Sequence, residues 1–210
     1  MGTDSRRRTC RLKRIIIIAA GVLAFSVTVY FIFGRGKKTE ITYNEVKPKR
    51  TDLRITVIQA DTVWHDPQAN RAHYQTLFNG LEAGSDIIVL PETFTSGFSN
   101  EAIGQAETMH GETVAWLSAQ AKALNAAITG SVQIRDGGKV FNRMLWAMPD
   151  GTVQHYDKRH LFRMANEHER YAAGADKTFI EYKGWRICPL VCYDLRFPVF
   201  SRNRFNSAVP

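Results

Sequence analysis

A layered α/β fold built on a mixed sheet is what this 210-residue sequence predicts. Three features carry that prediction. Short β-branched apolar runs alternate with longer segments of helical periodicity. Several of those runs stop at a titratable residue. The second half is punctuated by glycine turns of the kind that join neighbouring strands. The length accommodates one domain with a real core plus an appendage.

The elements follow in order. "LRITVIQA" (53–60) has the composition of a buried strand. "HDPQANRAHYQTLFNGLEAG" (65–84) reads as a helix, with Asp66 as N-cap, Pro67 at the first helical position and Gly84 past the end. "SDIIVLPE" (85–92) is a second buried strand ending in an acid. In "GETVAWLSAQAKALN" (111–125), Val114, Leu117, Ala121 and Leu124 recur at helical spacing. Residues 126–158 read as strands joined at Asp136-Gly137-Gly138 and Asp150-Gly151, and 178–192 as a hairpin turning at Lys183-Gly184. Strand, helix, strand, helix and then hairpins give a layered fold with a mixed sheet.

The net charge of +8 belongs to one end of the chain. Residues 1–50 hold 12 Lys/Arg against 3 Asp/Glu, and the remainder carries −1. The bulk of the chain therefore has no bias towards phosphate, and nucleic acid is not an expected partner. "IIIIAAGVLAFSVTVYFIF" (15–33) is uncharged and long enough to span a hydrocarbon core of roughly 30 Å as a helix. The expected organisation is a basic head (1–14), a transmembrane helix (15–33), a polar linker (34–51) and an α/β domain (52–210), with single-pass membrane localisation. A signal peptide is the second reading of the apolar stretch, but no clear Ala-x-Ala site follows it. Six basic residues flank each side, so the side on which the domain lies is left open, with a slight lean towards a cytoplasmic N-terminus.

Three titratable residues stand at the ends of apolar runs: Glu92 after "DIIVLP", Lys158 after "TVQHYD" and Cys192 after "ICPLV". Such positions are partly desolvated and shifted in pKa. A thiol needs a base to become the reactive thiolate, and a carboxylate can serve. A neighbouring ammonium can stabilise the thiolate and the oxyanion of a tetrahedral intermediate. Each also has a plain reading: Glu92 as a cap, Lys158 as a surface charge, Cys192 as packing. Other thiol chemistry finds no support. Cys188 and Cys192, four residues apart on an extended chain, lie roughly 13 Å apart, too far for a disulfide. Cys10 reads as a plain thiol, with palmitoylation the alternative. His155 and His160 make no recognisable metal site, and no cofactor is expected.

"LPETFTSGF", "YDKRHLF" and "VCYDLRFP" resemble, in order, the three signature blocks of the nitrilase, or carbon–nitrogen hydrolase, superfamily. The resemblance runs over about residues 53–204. It implies a four-layer αββα sandwich and a Glu-Lys-Cys triad on Glu92, Lys158 and Cys192. It also implies amide hydrolysis through a cysteine thioester, with the oxyanion held by Lys158 and the backbone N–H of Tyr193. A second pocket glutamate falls on Glu167, with Glu169 the competing choice. "YDKRHLFRMANEHERYAAG" and "CYDLRFPVFSR" are most similar to the omega-amidase branch, which implies 2-oxoglutaramate or 2-oxosuccinamate as substrate. Arg163 and Arg196 are then candidates for its free carboxylate, with a salt bridge anchoring the turn as the other reading of Arg196. Relatives of this kind commonly dimerise, so a homodimer is possible. The family domain continues well past the nucleophile block, so the resemblance implies a domain incomplete at its C-terminus. The alternative function is a catalytically inactive, membrane-tethered fragment.

Overall fold

The computed structural model describes residues 52–202. The expected head, transmembrane helix and linker lie outside the described residues. Five strands form the main sheet, in the spatial order of the sequence: β1 (Ile55–Val57), β2 (Ile87–Val89), β3 (Ala127–Asp136), β4 (Lys139–Ala147) and β5 (Val153–Asp157). The first three are parallel, and β3, β4 and β5 are antiparallel. Parallel neighbours need crossovers, supplied by α1 (Pro67–Asn79) and α2 (Glu112–Leu124). The antiparallel pair β3–β4 turns through Gly137 and Gly138, both at positive φ (53° and 75°). That left-handed pair matches the strand twist, which is why glycine is wanted there.

Period-two alternation sends alternate residues of the sheet to opposite faces. Ile88, Leu90, Ile128, Val132 and Leu145 pack against Tyr74 and Phe78 of α1 and Val114 and Leu117 of α2. Ile87, Ala127 and Trp146 instead meet a separate hairpin, β6 (Ile180–Tyr182) and β7 (Trp185–Ile187), through Ile180, Tyr182 and Ile187. The layers among the described residues are helix, sheet and hairpin, three of the four that the family resemblance implies. Among the described residues the hairpin is followed by a 3-10 turn (Cys192–Arg196) and α3 (Pro198–Ser201), a single turn, both too short to cover a sheet. On the hairpin side the sheet therefore leaves an open, largely apolar cavity of about 680 Å³, lined by Leu53, Ile55, Val89, Trp185 and Leu190 among others.

Three local expectations are corrected. The strand expected over 53–60 pairs over three residues only, and Ile55 and Val57 are exposed; β1 is an edge strand with the hairpin covering little of its outer face. The first helix stops at Asn79 with Gly80 as its C-cap, not at Gly84, which instead takes φ 111° in the following turn. Cys192 does not close a paired strand. The ladder ends at Ile187, because Pro189 lacks an N–H to donate.

Candidate active site

Glu92 and Lys158 are placed by backbone that the sheet holds, and Cys192 by a short turn. Glu92 lies just past β2, where Leu90 N–H still bonds the Thr129 carbonyl at 2.7 Å. The next residue, Thr93, is buried with φ 50°, a strained conformation for a β-branched side chain. It is held there by its N–H to Ser131 Oγ (2.8 Å) and its hydroxyl to the Glu92 carbonyl (2.8 Å). Lys158 follows β5; its N–H donates to the Asn142 carbonyl and its own carbonyl accepts from Gly174 N–H, both at 2.9 Å. Cys192 opens a short 3-10 helix (Cys192–Arg196) in the left-handed region, φ 44°.

The turn carrying Cys192 is anchored by Asp194, which is fully buried. Its carboxylate accepts from Val191 N–H (3.0 Å), Tyr156 O–H (2.8 Å), His160 N–H (2.9 Å) and the His160 ring (Nδ1, 2.7 Å). One acid therefore ties the thiol turn to the segment bearing Lys158. Burial and this acceptor both push the Tyr156 hydroxyl well above its ordinary range, so it stays a donor.

The three side chains and a fourth converge, with Lys158 and Glu167 buried, Glu92 partly buried and Cys192 at the exposed rim. Lys158 is fully buried, and its ammonium donates to Glu92 Oε1 (2.7 Å) and to both oxygens of Glu167 (3.1 and 2.9 Å). Burial opposes the lysine charge, but the two carboxylates more than offset it and hold Lys158 above its usual value. Glu167, also buried, accepts a further bond from Phe162 N–H (2.6 Å). Asn142, from the middle of β4, donates to Glu92 Oε1 (2.8 Å) and Glu167 Oε1 (3.1 Å). The Cys192 thiol is hydrogen-bonded to Glu92. Desolvation, then the Glu92 charge and that bond, push the thiol up, with Lys158 pulling the other way. The resting site thus holds a protonated thiol beside a carboxylate and an ammonium. A cavity of about 140 Å³ opens between Glu92 and Cys192, walled by Leu90, Met144 and Leu190. Because Cys192 starts its helix, the Tyr193 N–H has no carbonyl partner within that helix.

Glu167 and Glu169 part company here: the first is buried on Lys158, the second is exposed. Arg163 and Arg196 are exposed and form no ion pair among the described residues, so the anchoring salt bridge considered for Arg196 is absent there. The structure does not bring either arginine to the buried cluster. Asn142, Asp194 and Tyr156 were missed from sequence. The one available signal for Asn142 is a polar residue amid the apolar "VFNRMLW".

Glu and Lys side chains just past strand ends, meeting a Cys at the start of a short 3-10 helix on this α/β scaffold, define the nitrilase-superfamily class. The chain belongs to the carbon–nitrogen hydrolase family, whose match covers residues 54–206. It is 50% identical over 151 residues to the omega-amidase YafV of Escherichia coli K12, covering 72% of this chain and 58% of that protein. It is 30% identical over 151 residues to the 2-oxoglutaramate amidase of Bacillus subtilis, covering 70% and 58%. Among solved structures it resembles XC1258 of Xanthomonas campestris, a CN-hydrolase superfamily protein (62% identity, TM-score 0.74, 77% of this chain and 61% of that one). The chain thus spans 58% of the length of each of these two curated relatives. The membrane localisation expected from residues 15–33 is corrected. No helix among the described residues is long and apolar enough to cross a membrane, and the matched relatives are named as omega-amidases.

Proposed function

We propose that this chain hydrolyses small carboxamides with release of ammonia, acting as an omega-amidase on 2-oxoglutaramate or 2-oxosuccinamate. The observation that supports this most is the buried Glu92–Lys158–Glu167 cluster in contact with the Cys192 thiol. The names of the relatives supply the substrate class.

Glu92 takes the thiol proton as Cys192 sulfur attacks the amide carbonyl carbon. The oxyanion forms against the Lys158 ammonium and the Tyr193 N–H. Collapse breaks the C–N bond, and the amine leaves as ammonia with the proton returned from Glu92. Water, deprotonated by the same carboxylate, then attacks the thioester and releases the carboxylic acid and the free thiol. At rest both carboxylates favour the Lys158 ammonium; when Glu92 takes the proton, Glu167 and the oxyanion remain as its counter-charges. Glu167 already accepts four hydrogen bonds from three groups, two from Lys158 and one each from Asn142 and Phe162 N–H. It serves as the counter-charge that holds the lysine. Arg163 and Arg196, chosen by their nearness in sequence to the motif residues, are the candidates for the substrate's free carboxylate. Self-association into a homodimer belongs to the same proposal and is read by light scattering.

The test is ammonia release from 2-oxoglutaramate by the purified chain with Cys192→Ala alongside. Release that disappears in the variant supports the reading; no release from the parent with either oxo-amide rejects it.

A further inference from the structure

We propose that Asn142 is a positioning residue that selects which oxygen of Glu92 faces the Cys192 thiol. This rests on the reading of Glu92 as the base and adds what makes that base directional.

Glu92 Oε1 accepts from two donors, Lys158 Nζ at 2.7 Å and Asn142 Nδ2 at 2.8 Å. That oxygen is occupied, so Oε2 is the one left for the thiol. Lysine alone cannot enforce the choice, since its ammonium also serves both oxygens of Glu167 and rotates about its last bond. The amide is different. Its two N–H groups lie in one plane at a set angle, and they end on Glu92 Oε1 and Glu167 Oε1. The residue is anchored at the centre of β4 opposite Gln133, and its carbonyl takes the Lys158 N–H. One residue thus positions both carboxylates by side chain and the lysine by backbone.

A second observation separates this from packing. Asn142 is 1% exposed, and its Oδ1 is buried with no hydrogen-bond partner among the described residues. A buried amide with an unmet acceptor is a poor packing choice on an apolar strand. Its bonds are spent on the two glutamates instead. Glu92, Glu167, Lys158 and Cys192 are the titratable groups around this amide, with the Tyr171 hydroxyl influenced by both carboxylates beyond them. Arg143, the next residue, engages Asp136 and Asp157 instead.

The experiment uses the full 210-residue chain with Asn142→Leu, Glu92→Gln and the double variant. Peptide-resolved iodoacetamide alkylation of Cys192 is followed against pH, beside ammonia release. In Asn142→Leu, Glu92 is no longer held against the thiol, so alkylation begins at lower pH than in the parent. Glu92→Gln moves it further in the same direction, and adding Asn142→Leu to Glu92→Gln moves it no more. The kcat for ammonia release falls about 100-fold with KM unchanged, the cost of a base displaced by about an ångström. Asn142→Thr keeps one donor on a residue suited to a strand; it falls between, and carries the comparison should the leucine variant melt early. An Asn142→Leu profile that coincides with the parent overturns the proposal. So does a shift that adds in full to that of Glu92→Gln. A parent that releases no ammonia but shows the non-additive alkylation pattern rejects the proposed hydrolysis and upholds the assignment of Asn142.

Discussion

The same substitution at the two ends of Lys158 is expected to give opposite results. Both oxygens of Glu167 accept: Oε1 from Lys158 and Asn142, Oε2 from Lys158 and Phe162 N–H. Glutamine there turns an NH2 towards donors whichever way it flips, and it removes a charge from a pair whose side chains are 0% and 1% exposed. Breaking one partner of a buried ion pair costs about 3–5 kcal/mol. For a domain of this size each kcal/mol is about 2–4 °C, so Glu167→Gln should melt about 6–20 °C below the parent. Glu92→Gln differs because Oε1 alone receives the Lys158 and Asn142 bonds. The glutamine carbonyl can keep both while Lys158 retains Glu167, so its loss should stay within about 1 kcal/mol. Hydrolysis in that variant should nonetheless fall about 10²–10⁴-fold with the base gone. Differential scanning calorimetry with Glu169→Gln as an exposed control decides it. Equal melting of Glu167→Gln and Glu169→Gln would refute the four-bond account of Glu167.

Lys158 has its folded pKa raised, so its stabilising contribution is complete below the ordinary lysine pKa and is lost as pH climbs through the higher folded value. The melting gap between parent and Lys158→Met should be flat from pH 6 to pH 9 and close only in strong alkali above about pH 10.4. Tyr156→Phe removes one of the donors to the buried Asp194 and should cost about 1.5–3 kcal/mol in a denaturant midpoint, with kcat reduced because that acid anchors the thiol turn. A Cβ at Gly174 would overlap the Asp157 carbonyl, beside Lys158. Gly174→Ala should therefore cost about 1–3 kcal/mol and depress ammonia release, whereas Gly104→Ala, with open space around it, should do neither.

Turn chemistry was the most legible layer of this fold. Gly137-Gly138 and Lys183-Gly184 sit where the hairpins turn, and each pair adopts positive φ at both residues. Asp66 and Pro67 open α1 as their side chains require, with Asp66 Oδ1 accepting from Ala69 N–H at 2.9 Å. Helix and strand types were equally readable from apolar periodicity. Strand extent was not, because "LRITVIQA" carries no record of what pairs with it or covers it. Only the edge position of β1 explains why Ile55 is 56% exposed. At the site, the three residues at run ends were visible as chemistry. The choice between Glu167 and Glu169 rested on resemblance, and burial separates them. Asn142 escaped because its role depends on register: its neighbours in space come from residues 92, 158 and 167. A buried Asp194 escaped for the same reason, its four bonds coming from residues 156, 160 and 191.

The raised pKa of Cys192 has a consequence for the life of the molecule before it is folded. Desolvation and the Glu92 charge, which suppress the thiolate, act on Cys192 only when β2 and the Cys192 turn are both in place. An unfolded or half-made chain lacks them, and its cysteine ionises like that of any peptide, near pH 8.5. The nascent protein is thus more open to oxidants and alkylating agents at this sulfur than the finished one. Folding acts as a chemical shield, and damage at Cys192 should accumulate in the molecules that folded slowly.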